Sequence, residues 1–302
     1  MLLSCIDAEV ELLREPRECM NPMGFEDGVY TVFRGYIDDS GNEQLFTLAC
    51  ILAKGANWQW IVMDWEKVLD AKNASLAEQG RKTLPRYHSV DINNFVAEYE
   101  DWTPEERAQF SKELLHVFEK PSNRASGFAY SVDLRLLTEI IPNTKADPKG
   151  FAYSLLLKLL MAEIGTKFDD ANNGDLSGVR IALIHDRCAY NGVLQEAFES
   201  YKRDHTSSYG SLYATLAPMG WEDCVPLQPA DLIAYENYKE VLRHVSVNEK
   251  DRRRGMRIPL SKLLDSDSFG GFCKSLGQDA IRELKGSMDK AITKAIEANT
   301  WH

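Results

Sequence analysis

The stretch that most constrains the fold is "VRIALIHD", residues 179–186, an almost unbroken apolar run of strand length that ends on a carboxylate. A strand with one wet face alternates polar and apolar side chains, so a run like this needs cover on both faces. It predicts an interior strand of a sheet sandwiched between helices. The flanking segments supply them. "GFAYSLLLKLLMAEIG" before it has helical spacing and is predicted to stop at Gly165, since glycine commonly ends helices. "GVLQEAFESYKRD" after it reads as a second helix.

Upstream, "VYTVFRGYID" and "LFTLACILA" are rich in β-branched and aromatic residues, and "DDSGNEQ" between them carries turn chemistry. They predict a hairpin over residues 29–53. "NWQWIVMDWEKVLDA" has apolar residues at helical spacing. Thr103, Pro104 and Glu106 form a capping box with proline at the first helical position, opening a helix expected to reach Lys120. "SGFAYSVDL" and "SLYATLAPM" read as strands, and "LQPADLIAYENYKEVLRH" as a helix with Pro229 near its start. Antiparallel strands first and strand–helix units later make a mixed α/β pattern. Three parts are expected: a helical and loop extension at 1–28, a main domain at 29–245, and a C-terminal helical extension at 246–302 that carries the basic run "EKDRRRGMR".

The 302 residues are 44% apolar and 27% charged, enough for a full core in a globular chain. A net charge of -11 makes the chain a poor non-specific binder of polyanions, because phosphate contacts need Lys and Arg. The six cysteines form no C-x-x-C pair and sit at no zinc-finger spacing, which argues against a zinc module or a disulfide scaffold. Asp7, Glu9 and Glu11 interrupt the first apolar run, unlike a secretory leader. The most apolar helix is broken by Lys158 and Glu163 and is too short to span a bilayer. A cytoplasmic location with no membrane association is expected.

Asp38 closes the first predicted strand, Asp186 closes "VRIALIHD", and Asp231 lies at the start of the last core helix. Strand ends and helix starts in α/β folds gather at one edge of the sheet. Carboxylates that meet there repel one another unless a cation sits between them. Mg²⁺ or Mn²⁺ takes such oxygen ligands and serves phosphodiester cleavage. Asp39 faces away from Asp38 because strand side chains alternate.

These segments resemble the domain of unknown function 3800 family. "YIDDSGN" resembles its Asp-Glu-Ser-Gly opening, with Asp39 in place of Glu. "LQPADLIAYENY" is similar to its closing motif, "ALIHDR" to its middle acidic strand, and "YHSVDINN" to its short His-containing segment. The resemblance spans residues 29–243. It implies an RNase H-like mixed sheet flanked by helices, with N-terminal and C-terminal helical additions, and a metal-dependent nuclease-type site acting on DNA or RNA. Asp38, Asp186 and Asp231 are then the metal ligands, and His88 is a proton donor to the leaving group. Asp39, Ser40 and Gln228 support them. Two departures stand out. Arg86 occupies the region before His88 where an acid is expected, and no helical glutamate is evident beyond Asp133 and Glu163.

Each residue also has an ordinary explanation. Asp38 could cap a turn, Asp186 could start a loop, and helix dipoles favour an acid at Asp231. His88 could be a strand-end histidine, Trp58, Trp60 and Trp65 are expected to pack the core, and Ser40 lacks the partners of a nucleophile. Arg252, Arg253 and Arg254 are a solvated charge run or the phosphate contacts that an acidic chain needs. The alternative to a nuclease is a catalytically silent or partner-gated binding protein of the same fold, acting with a protein partner or a second copy of itself.

Overall fold

The computed structural model describes residues 31–204, 209–245, 260–261, 263 and 266–299. The expected N-terminal extension and the basic run with Arg252, Arg253 and Arg254 lie outside these residues. At the centre is a six-stranded mixed sheet of order β5-β4-β1-β2-β3-β6. The strands are β1 (Thr31–Gly41), β2 (Leu45–Lys54), β3 (Ala125–Asp133), β4 (Val179–Asp186), β5 (Tyr213–Met219) and β6 (Phe269–Leu276). β2 is antiparallel to both its neighbours, and the other pairings are parallel. β1 and β4 therefore bring their carboxyl ends to one edge.

Helices cover both faces. α1 (Gly55–Glu78), the short α2 (Ser89–Asn94), α3 (Pro104–Leu115) and α7 (Leu227–Val245) lie on one side. Their cluster includes Trp58, Trp65, Phe110, Phe118 and Ile233 against Tyr36, Ala49, Ile51 and Ile184 of the sheet. On the other side are α4 (Leu134–Ile140), α5 (Pro148–Ala171), α6 (Asn191–Arg203) and α8 (Gln278–Asn299), with Leu156, Leu160, Phe168, Phe198 and Ile281 against Phe33, Ile37, Cys50 and Leu183. The alternation of β2 between these two clusters explains why that strand is apolar almost throughout. Among the described residues no helix is long and apolar enough to cross a membrane. Cys50, Cys188, Cys224 and Cys273 are free thiols.

Several sequence expectations change. β1 does not end at Asp38 but pairs on through Gly41, opposite Phe46. The turn is made by Asn42, whose Oδ1 accepts from the N–H groups of Gln44 and Leu45 at 2.9 Å each. The capping box on Thr103 forms, but α3 gives way at His116 to a 3₁₀ turn before Pro121. Gly165 does not end α5. It sits inside the helix because Tyr209 lies on it: a Cβ there would be 2.4 Å from the Tyr209 ring. Trp60 is 51% exposed rather than packed.

The largest difference lies at the C-terminus. β6 pairs in parallel with β3 as the sixth strand of the sheet, so residues 269–276 are part of the sheet and not of a helical addition outside the core. "FGGFC" hid this strand because glycine weakens a strand pattern. Gly271 sits at φ +153°, where an added Cβ would strike the Gly127 carbonyl oxygen at 1.9 Å. Glycine is therefore the residue this close approach requires.

Candidate active-site cleft

At the carboxyl edge of β1 and β4 lies a cleft of about 510 Å³. Asp38, Asp39, Ser40, Asp186, His88, Gln228 and Asp231 all line it. The register explains the first pair: Ile37 stands beside His185, so the next step sets Asp38 and Asp186 at adjacent positions on the same sheet face. That face is the one α7 crosses, over β1 and β2. Asp231 enters from the second turn of α7, one residue past the expected first turn, and is buried. His185, the neighbour of Asp186, is buried and does not line the cleft.

The carboxylates feel one another. Burial first, then the charges of Asp231, Asp39 and Asp186, hold the Asp38 carboxyl well above the usual range, against the Asp39 N–H that it accepts at 2.8 Å. Burial pushes Asp231 up to about 6, although it accepts the Ser89 N–H at 2.7 Å and feels the positive charge of Arg86. Asp186 is raised by burial and by Asp39 and Glu222, while Arg86 and the Arg187 N–H pull it down. Asp39 serves the opposite face, as alternation predicts: it accepts from the Tyr153 hydroxyl and pairs with Lys149 at 3.6 Å. Its backbone position at the strand end still puts it on the cleft rim.

One wall of the cleft is residues 84–89, held at every second or third residue. Asn73 exchanges hydrogen bonds with the Leu84 backbone, donating at 2.9 Å and accepting at 2.6 Å. The Tyr99 hydroxyl donates to the Arg86 carbonyl at 3.1 Å. Gln228 Oε1 accepts from the Tyr87 N–H at 2.8 Å and from Trp65 Nε1 at 3.1 Å. Gln228 thus neither caps α7 nor orients a carboxylate; it ties this wall to α7 and α1. His88 stands before α2 rather than at a strand end, with Nδ1 2.7 Å from Asp91 Oδ2. That contact turns Nε2 into the ring nitrogen free to serve the cleft.

The facing wall is the loop after β5, with Gly220, Trp221 and Glu222. The sequence reading missed Trp221, Glu222 and the cleft role of Arg86. The Arg86 guanidinium lies 4.3 Å from the centre of the Trp221 ring, joining the two walls. A loop "GWED" between a strand and the closing motif was the only available signal, and such loops are common. Glu222 supplies a further acid at the rim, whereas Asp133 caps α4 and Glu163 is engaged by Tyr130 and Lys274. Ser40 is buried, and among the described residues no histidine is bonded to it.

The donor set suits a hard divalent cation in kind, since it is carboxylate oxygen whose repulsion a cation would relieve. It is not drawn together in advance: among the described residues no group of three or more His, Cys, Asp or Glu side chains stands ready to hold a metal ion. No family model, curated protein or solved structure matches this chain.

Proposed function

We propose that this chain is a metal-dependent nuclease of RNase H-like architecture, related to the domain of unknown function 3800 family, that hydrolyses phosphodiesters in DNA or RNA. The observation that carries the reading is the meeting of Asp38, Asp186 and Asp231 in one cleft from β1, β4 and α7, the first-strand, fourth-strand and last-helix positions that the resemblance assigns. A mixed sheet in which only the second strand is reversed supports the architecture.

The three carboxylates would hold Mg²⁺ or Mn²⁺, which supplies charge stabilisation and water activation for phosphodiester hydrolysis. The protein's own groups do the rest. Burial keeps the acids poised to give up protons in exchange for a cation. His88, braced through Nδ1 by Asp91 and lining the cleft, would protonate a departing oxygen through Nε2. Arg86 offers a fixed positive charge to a phosphate that would otherwise meet an acidic floor.

The test pairs metal binding with cleavage. Mn²⁺ should raise the melting temperature of the parent and not of Asp38→Asn, since a ligand of the folded state stabilises by mass action. Asp38→Asn should lose cleavage of labelled DNA and RNA while its metal-free form melts no lower than the parent, because it sheds a repelling charge. Asp39→Asn should cleave. Equal cleavage by parent and Asp38→Asn would sink the reading. Metal stabilisation of the parent without cleavage would instead favour a partner-gated protein.

A further inference from the structure

We infer that Arg86 and Trp221 form a strand-binding subsite on the rim of the cleft, and that the ligand it takes is a single nucleic-acid strand rather than a duplex. This rests on the nuclease reading above and names the substrate class of that site. Three observations carry it.

The first is the pairing itself. A guanidinium 4.3 Å over an indole ring is the combination of positive charge and aromatic face that binds a single strand without regard to sequence. The charge takes a phosphate, and the half-buried Trp221 ring, on the face that Arg86 does not cover, takes a base that is free to leave its stack. In a duplex the bases are paired and their faces covered, so an aromatic ring has nothing to stack on.

The second is preorganisation. Arg86 is bracketed by the anchors on Leu84, Tyr87 and Ser89, and its own carbonyl accepts the Tyr99 hydroxyl. An arginine normally loses much side-chain freedom on binding; here the half-buried guanidinium is already stacked on Trp221 over a backbone held by folding. Arg187 from the end of β4 adds a second cation on the same cleft.

The third is shape. The contact joins the wall at 84–89 to the loop at 220–222 above a buried Asp231. A cleft of about 510 Å³ lies within the range of small-ligand sites and holds about one or two nucleotides. A flexible single strand can thread its sugar-phosphate between two joined walls. A stiff double helix reaches the floor only if the walls part.

The experiment is fluorescence anisotropy with labelled oligothymidylate, oligouridylate and a duplex of matched phosphate number, in Ca²⁺, which takes the same oxygen ligands. At least one single strand should bind about tenfold or more tightly than the duplex, and the preferred sugar identifies DNA or RNA. Trp221→Ala should weaken single-strand binding about tenfold, and Trp221→Phe should restore most of it, in keeping with typical base stacking on aromatic side chains. Arg86→Gln should weaken it as well and lower the slope of log affinity against log salt by about one. Melting temperatures close to the parent's show that the variants fold. Duplex binding equal to single-strand binding overturns the inference, and so does parent-like binding by both Trp221→Ala and Arg86→Gln. If the parent cleaves nucleic acid while these variants bind normally, the inference falls and the nuclease reading stands. If Mn²⁺ neither stabilises the parent nor supports cleavage, the nuclease reading falls first.

Discussion

Asp38 and Asp39 are neighbours in the chain with opposite surroundings. One faces α7 and two more acids; the other faces α5 and is met by Tyr153 and Lys149. The chemistry of the cleft follows from that difference, and it makes stability depend on pH. Asp231 titrates at about 6 in the folded chain and near the usual carboxylate value when unfolded. Between those values the folded chain keeps a proton that the unfolded chain has lost. The stabilisation is thus fully present below the unfolded value and lost as pH rises through 6. Asp38 and Asp186 are raised too and act in the same direction. The metal-free protein should therefore become more stable by about 1 kcal/mol or more from pH 7 to pH 5, read as a rise in melting temperature with chelator present. Burial holds the His185 imidazole below its ordinary value and opposes this over the same range, against three raised acids, whereas Asp64 and Glu106, held low by hydrogen bonds from Asn123 and Arg81, oppose it only at more acidic pH. Melting temperatures that fall steadily from pH 7 to pH 5 would contradict the assignment.

At the scale of elements, the wall at 84–89 is the most instructive piece. Up to Ser89, where α2 begins, it has no regular secondary structure, since Pro85 removes a donor and the residue before a proline avoids the helical region. Its order comes from side chains on α1 and α7 and from Tyr99. Gln228 is central, because one oxygen satisfies two buried donors, the Tyr87 N–H and the Trp65 indole N–H. Gln228→Ala should leave both unpaired and cost about 2 to 4 kcal/mol in denaturant unfolding, well above a typical surface change. A loss under about 0.5 kcal/mol would mean the wall does not depend on this anchor. The capping box that opens α3 lies far from the cleft but was legible at once, because Thr103 and Glu106 satisfy each other's backbone donors locally.

For the molecule as a whole, β6 decides where the domain ends. It covers the outer edge of β3, and Phe269 and Phe272 pack on opposite faces of the sheet. A chain cut after Val245 would expose the β3 edge and remove Ile281 of α8 from the second core. Such a truncation should aggregate or fail to show a cooperative melt, whereas a C-terminal helical extension added to a complete main domain would leave it able to fold. A soluble, cooperatively melting 31–245 fragment would reverse this view of the domain.

What the sequence determined is local or periodic. The apolar run set β4 as a covered strand, capping residues set the start of α3, and alternation separated Asp38 from Asp39. The identities of the three cleft acids were legible because Asp38 lies near and Asp186 at a strand end, with Asp231 near a helix start, places that the α/β pattern gathers at one edge. Only the tertiary structure decided the rest. Gly165 reads as a helix stop until Tyr209 is seen lying on it, and "FGGFC" reads as no strand until Gly127 is seen against Gly271. Gln228 reads as a support for the acids until the wall it holds is in place, and Arg86 and Trp221 are 135 positions apart, with nothing in either segment to announce the other. Contacts between segments distant in the chain are chosen by packing and by the need to pair buried donors, and those demands exist only once the segments have met.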